Sequence, residues 1–439
     1  MVEALTYFLH ELGKNDWATQ PFLSLFPYFI LLELPLNVVV LLGVLRWFTR
    51  KATLPPSVPV YTPSVSCIVT CYGEGKDIHR SLESLAEQVY AGHIELIPVI
   101  DGANVNTETL EAVRNFRIDS RLHPQRYIRP IAKWERGGRV SSLNAGLDMA
   151  SGEIVMALDG DTSFDNNMVS TMVRHFADPD VPAVAGSLRV RNAEASLTAR
   201  MQAIEYLLSI HMSKVGLAEW NVVNNISGAF GAFRRSFLNQ IGGWDTHTAE
   251  DLDITLRIKS YARRRPIRIP FEPGAVGHTD APARFSAFLK QRLRWDGDLY
   301  FLYIRKHKHS IRPGIMGWPN FVMALLSGML FQIVLPFVII AYTLTAIVLL
   351  PLPSLAVLFG LIYLLYLSLT VVLYLCMMIM VSERPREDLR LAVFIPVFPV
   401  FMMIMRCWSA VAILNEAWRR GHEESGMAPW WVIKKGTRF

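Results

Sequence analysis

The sequence predicts an α/β domain built on a parallel-rich sheet and set among membrane helices. Three observations carry that expectation. From residue 64, short apolar segments alternate with helix-length ones, as in sheets covered on both faces. Long uncharged apolar runs flank a water-compatible stretch of roughly residues 51 to 319. Hydrophobic residues make up 51% of the 439 positions and charged residues 19%, a balance unlike that of a wholly soluble protein.

The elements follow in order. Residues 22 to 45 are long enough to cross about 30 Å of hydrocarbon. No basic segment precedes them and no small-residue cleavage site follows, which excludes a signal peptide. Arg46, Arg50 and Lys51 come next and place that end in the cytoplasm. Glu33 lies inside this span, so it faces either a protein or water-lined interior or the interface beside Pro35. SVSCIVTCY, IELIPVID, RYIRPIA and EIVMALD then read as strands, and HRSLESLAEQV, TETLEAVRNF and SSLNAGLDMA as the helices between them. Residues 320 to 350 and 354 to 380 form uncharged runs of 31 and 27 residues, each able to cross once. The basic Ser382-Glu383-Arg384-Pro385-Arg386 segment returns the chain to the cytoplasm. The last apolar run, 391 to 405, has 15 residues and two prolines before Arg406, which suits an interfacial or re-entrant element. Three spans result, with a cytoplasmic C-terminus.

Composition narrows the function. The net charge of +6 is modest, and the clusters Arg263-Arg264-Arg265 and Arg305-Lys306-His307-Lys308 fit juxtamembrane charge near anionic lipid better than a nucleic-acid surface. Cys67, Cys71, Cys376 and Cys407 lack CxxC spacing, so neither a zinc site nor a disulfide framework is expected.

Four ordered signatures carry the chemistry. Asp101 and Asp159 end two apolar strands, where ligands of such sheets bind, although either alone also suits a helix cap. Asp159-Gly160-Asp161 presents two carboxylates to one hard cation, Mg²⁺ or Mn²⁺; a plain turn is the alternative. Ala249-Glu250-Asp251 follows. Gln291, Arg294 and Trp295 are spaced i, i+3, i+4 and share one helix face, a cationic-aromatic surface; interfacial anchoring, with the arginine snorkelling beside an aromatic belt, is the alternative.

The set resembles the family 2 glycosyltransferases, and specifically the membrane-embedded processive synthases of cellulose, hyaluronan, chitin and bacterial poly-N-acetylglucosamine, from residue 64 to the C-terminus. The resemblance implies a cytoplasmic GT-A (nucleotide-sugar transferase) domain. By that likeness Thr70, Tyr72 and Glu74 contact the uracil, Asp101 holds the uridine and Arg139 faces the diphosphate, where the family usually has lysine. Ser227 to Arg235 resembles the acceptor segment, with Phe230 stacking on a terminal sugar. Asp251 is the expected general base beside Glu250, in place of the family's Thr-Glu-Asp. Asp253 reads as a cap or a solvated side chain. Trp430 to Gly436 resembles a gating loop, in which Ile433 replaces a threonine and Lys435 is the expected phosphate contact; a basic lipid-facing tail is the alternative.

The expected organisation is a membrane segment over 1–50, the catalytic domain over 51–285, interfacial helices over 286–319, two transmembrane helices over 320–381, and an interfacial helix with the gating-like tail over 382–439. The expected activity is processive, inverting transfer from a UDP-sugar donor to a growing β-linked polysaccharide at the bacterial inner membrane. Poly-N-acetylglucosamine is the first choice of product. Membrane lipid and accessory export subunits are the expected partners, and nucleic acid is not. Single addition to a lipid acceptor is the enzymatic alternative, and a non-enzymatic nucleotide-binding export component the other.

Overall fold

The computed structural model describes residues 26–53 and 61–424, with Thr6 alone beyond them. The start of the first apolar run and the 430–436 segment with Lys435 therefore lie outside the described residues.

Helix α1 (Phe26–Thr53) leads into β1 (Val65–Cys71), α2 (Ile78–Ala86), β2 (Ile94–Ile100), α3 (Thr107–Asn115), β3 (Arg126–Ile128), β4 (Ile131–Ala132), α4 (Gly138–Met149) and β5 (Ile154–Asp159). All four expected strand regions and all three intervening helices are present. RYIRPIA differs in being split into β3 and β4 around Arg129-Pro130, because proline has no N–H to donate to a ladder. Strand β2 is buried at every position and β1 at all but Thr70, as expected for strands covered on both faces.

The chain continues through β6 (Ser163–Phe164), α5 (Met168–Val173), β7 (Ala183–Val190), α6 (Leu197–Glu205), a π-helical segment Tyr206–Met212, α7 (Ser213–Glu219), β8 (Phe230–Arg234), α8 (Arg235–Gln240), α9 (Glu250–Lys259), β9 (Phe271–Thr279) and α10 (Phe285–Tyr300). The sheet order is β3-β2-β1-β5-β8-β7-β9-β6, with β4 also beside β2. Strands β1 to β5 pair in parallel, and β8 runs antiparallel between β5 and β7. Two apolar layers sandwich the sheet. Ile68, Ile97, Leu143 and Phe233 lie in one, and Cys67, Leu96, Met156 and Phe230 in the other.

Among the described residues, three helices are long and apolar enough to cross a membrane: α11 (Trp318–Leu349), α12 (Leu352–Val381) and α13 (Pro385–Arg419). The last is 35 residues, not the 15 of its apolar run, because Ser409 to Leu414 continue the helix past Arg406. Glu33 is buried and pairs with Arg406 of α13 at 2.6 Å, with the Tyr366 hydroxyl of α12 donating at 3.1 Å. Of the two expectations for Glu33, the protein interior is the one observed.

The membrane elements are fastened to the sheet domain. Helices α1 and α7 cross at Gly43 and Gly216, where a β-carbon on Gly216 would lie 2.3 Å from the Val40 carbonyl oxygen. Arg46 (3.6 Å) and Arg50 both pair with Glu219. The turn between α12 and α13 docks through two ion pairs: buried Arg189 of β7 with Asp388 at 2.6 and 3.1 Å, and Arg384 with Asp165, both contacts at 2.8 Å.

The second basic cluster turns inward, contrary to the lipid-facing expectation. Arg305 pairs with Glu416, and Lys306 and His307 with Asp253, because those carboxylates are buried and need counter-charges. All four cysteines are free thiols, and burial pushes the Cys67 thiol up to about 12.

Candidate active site

The parallel half of the sheet aligns Thr70 with Asp159 and Cys71 with Ile100, so Thr70, Asp101 and Asp159 share its carboxyl edge. Asp101 is buried against the start of α4. The Gly137 and Gly138 N–H groups each donate to one of its oxygens at 2.8 Å, and Lys133 Nζ lies 2.7 Å away. Gly138 adopts φ +82°, a backbone that a side chain disfavours. Asp101 thus orders the Lys133–Gly138 loop at the place expected for the uridine. On that loop Arg136 lies 4.2 Å over the half-exposed Tyr72 ring, building a flat cationic-aromatic surface at the edge.

Arg139 occupies the centre. Its Nε donates to Glu250 at 2.6 Å and its Nη1 to the Thr70 hydroxyl at 2.7 Å; the guanidinium also reaches Asp159 and the Gly228 carbonyl. One planar cation therefore ties β1, β5, α9 and the segment before β8 together, a fork geometry that lysine lacks.

Asp159-Gly160-Asp161 forms a tight turn, with the Gly160 N–H donating to the Thr70 carbonyl at 3.0 Å. A β-carbon on Gly160 would lie 3.1 Å from the Glu74 carboxyl carbon, which places Glu74 against this turn. Burial, with help from Asp161, pushes the Glu74 carboxyl up, and its buried Oε2 has no hydrogen-bond partner. Asp161 faces solvent and, among the described residues, accepts only from Thr162 at 3.1 Å. Among the described residues no group of three His, Cys, Asp or Glu side chains is arranged to hold a metal ion. An all-oxygen pair with an orphaned carboxylate oxygen alongside fits a hard cation that keeps water and phosphate among its ligands.

Helix α9 begins with Glu250, Asp251 and Asp253 and ends with Arg257 and Lys259, charges that complement its dipole. Asp251 accepts from the Asn225 amide at 2.7 Å and the Leu252 N–H at 2.8 Å. Burial first, then the Glu250 charge, raises its affinity for a proton, while Lys214 and the two hydrogen bonds oppose this. Buried Lys214 is itself driven down to about 8 by desolvation.

Gln291, Arg294 and Trp295 share α10. Arg292 is the neutralised arginine, held by Glu205 at 2.5 Å and stacked on Trp295 at 4.9 Å. Arg294 makes no hydrogen bond or ion pair among the described residues, which leaves its charge for an anion, and the Gln291 Oε1 is likewise unpaired.

Two expectations fail. Phe230 is wholly buried, packed edge-on against Phe164 at 5.2 Å and over Gly186, so it cannot stack on a sugar; β8 is a central strand and this position points into the core. Asp253 is neither cap nor solvated. It is fully buried between Arg257 (2.9 Å), Lys306 (2.8 Å) and His307 (2.8 Å), which together bring its carboxyl down to about 2. Lys133, Asn225 and Lys214 were not singled out from the sequence; each acts through a partner 26 or more residues away and lies in no periodic pattern.

A family model described as "Glycosyltransferase like family 2" matches residues 63–297. The chain belongs to glycosyltransferase family 2. It is 28% identical over 270 residues to a poly-beta-1,6-N-acetyl-D-glucosamine synthase of Staphylococcus epidermidis, covering 61% of this chain and 59% of that relative. It is 30% identical over 233 residues to the enzyme of that name from Staphylococcus aureus strain COL, covering 53% of each. The chain thus spans somewhat more than half the length of these curated relatives. Among solved structures it is similar to the mannosyltransferase PcManGT from Pyrobaculum calidifontis, in complex with GDP-Man and Mn²⁺, with a TM-score of 0.59 and 22% identity over 89% of this chain and 98% of that one. That likeness is one of fold, and the family 2 domain here has the GT-A arrangement of mixed sheet and helices joined to helices of membrane length.

Proposed function

We propose that this family 2 glycosyltransferase is a membrane polysaccharide synthase that transfers a sugar from a UDP-sugar, with inversion, to a growing β-linked chain and passes the product across the membrane. The observation that carries the reading is Asp251. It is a half-buried carboxylate with raised proton affinity, next to Glu250, which pairs with Arg139, and that arginine also reaches Asp159. The relatives named poly-beta-1,6-N-acetyl-D-glucosamine synthase support N-acetylglucosamine as the sugar. The bound GDP-Man and Mn²⁺ of the structural neighbour support a nucleotide-sugar with a divalent cation.

In this mechanism Asp251 takes the proton of the acceptor hydroxyl as that oxygen bonds to the anomeric carbon. The bond from that carbon to the diphosphate breaks, and UDP leaves as an anion toward Arg294. Asp159 and Asp161 would hold Mg²⁺ or Mn²⁺, which supplies positive charge to the diphosphate when bound. Thr70, Tyr72, Glu74 and Asp101 line the nucleoside end, and Trp295 offers its face to the sugar. The reading keeps a membrane segment to residue 50, a cytoplasmic catalytic domain over 51–285, interfacial helices over 286–319 and membrane elements beyond, at a bacterial inner membrane.

Purified protein in detergent, given individual UDP-sugars with Mg²⁺ or Mn²⁺, should release UDP and form a polymer with one of them. Asp251→Asn should bind UDP yet lose transfer by roughly 10²- to 10⁴-fold. No UDP release with any donor refutes the enzyme reading, and a product of one added unit refutes processivity.

A further inference from the structure

The segment that carries the base is bolted to the Gln291–Trp295 helix by Thr248 and Asp298, which lie outside every motif discussed so far. Buried Thr248 donates its hydroxyl to Asp298 Oδ1, and Asp298 is itself buried. Asp298 lies four residues after Arg294 and three after Trp295, so all three share one face of α10 with Gln291. At the other end of the same segment, Lys306 Nζ bridges Asp245 at 2.7 Å and Asp253 at 2.8 Å, and His307 reaches Asp253 at 2.8 Å. Residues 245 to 253 are therefore held at both ends by residues 298 to 307.

Between these bolts lies a strained link. Ala249 adopts φ +43° and ψ +46°, a left-handed backbone unfavourable for any residue with a β-carbon. Such a conformation persists only where the flanking structure over-determines it. On one side stands the Thr248–Asp298 bond; on the other the Leu252 N–H bonds Asp251 Oδ1 at 2.8 Å and the Asp253 N–H bonds the Ala249 carbonyl at 3.0 Å. The left-handed turn is what aims Glu250 and Asp251 at Arg139 and Asn225.

We propose that Asp298 and Thr248 are positioning residues for the transfer: their bond fixes the Ala249 turn to α10, so that the base Asp251 and the leaving-group arginine Arg294 are held in one geometry. The inference rests on the glycosyltransferase reading and deepens it. Burial pushes the Asp298 carboxyl up to about 8, favouring its neutral form; the groups facing it are Thr248, Arg294, Glu250 and Glu416. Above that pH a new negative charge would attract Arg294 away from the diphosphate and repel Glu250.

The test compares Thr248→Val, Thr248→Ser and Asp298→Asn with wild type in UDP release, in kcat against pH, and in calorimetric UDP affinity. Thr248→Val should lower kcat by roughly 10- to 100-fold, the scale of a misplaced reacting group, with UDP affinity unchanged. Thr248→Ser, which restores the hydroxyl, should recover most of that loss. Asp298→Asn keeps an acceptor for Thr248 without a titratable proton, so the alkaline fall in kcat near pH 8 should vanish. A purely structural seam would lower thermal stability without removing that fall. Wild-type kcat in Thr248→Val, an equal loss of UDP affinity, or an unchanged alkaline fall in Asp298→Asn overturns the inference. Wild-type protein that releases no UDP from any donor overturns the glycosyltransferase reading, and this inference with it.

Discussion

Replacing Arg139 tests the centre of the site most directly. The Arg139 and Glu250 side chains are 11% and 10% exposed, and the same guanidinium also engages Asp159, Thr70 and the Gly228 carbonyl. Arg139→Ala leaves Glu250 and Asp159 without the cation they share. Breaking a buried pair by removing one partner costs about 3–5 kcal/mol. At ~1.36 kcal/mol per tenfold, that cost expressed in the transition state lowers kcat/KM by roughly 10²- to 10⁴-fold. Arg139→Lys keeps the charge but forfeits the fork, losing at least one charge-assisted bond of about 1.5–3 kcal/mol, or roughly 10- to 150-fold. The Glu250 charge already raises the Asp251 carboxyl; without Arg139 that effect grows, so the acid limb of kcat should move to higher pH in the alanine variant. UDP release measured from pH 5 to 9, a range about the usual optimum, reads both effects. Arg139→Ala with kcat/KM within about threefold of wild type and an unmoved acid limb would refute the reasoning.

Three further outcomes follow from the same geometry. Asp253→Ala removes the buried carboxylate shared by Arg257, Lys306 and His307 and should cost about 3–5 kcal/mol, read as faster thermal inactivation in detergent. Because the folded Asp253 carboxyl is lowered to about 2 from 3.8, its contribution is complete above the unfolded value and lost as pH falls toward 2, so Asp253→Asn should flatten acid inactivation in that window. Chelation should abolish transfer, and Asp161→Asn should need more Mn²⁺ to recover it, followed by titrating the metal against UDP release. Gly216→Val drives a side chain into the Val40 backbone and should lower stability by several kcal/mol, on the order of an overpacked core, whereas Gly360→Ala, with open space around it, should not.

Local signals read well in this chain, and distant pairings did not. Strands β1, β2 and β5 and helices α2 to α4 were legible because each buries a short, periodic apolar set within its own residues. Asp159 and Asp101 were placed by their position after such strands. Phe230 went wrong because a glycine-flanked aromatic reads alike on an open cleft and on a central strand; only the antiparallel insertion between β5 and β7 separates them. Asp253 read as a cap or a solvated side chain, and the Arg305–Lys308 cluster as lipid-facing, because Lys306 and His307 lie 53 and 54 residues from Asp253 and Arg305 lies 111 from Glu416. The length of α13 was missed for a related reason. Its continuation past Arg406 is held by partners on α10: Trp408 donates to the Leu289 carbonyl at 2.9 Å and Ser409 to Asp296 at 2.7 Å.

The ion pairs that dock the α12–α13 turn bear on how divisible the protein is. Arg189 and Asp165 belong to the sheet domain, yet their carboxylate and guanidinium partners arrive more than 190 residues later, from a segment between two apolar helices. A catalytic domain severed before residue 320 would keep those charges and lose their partners. The cost of one uncompensated buried charge, about 3–5 kcal/mol, is a large share of a domain's stability of roughly 5–15 kcal/mol. The sheet domain should therefore lose stability when it is cut from the apolar helices that carry its counter-charges.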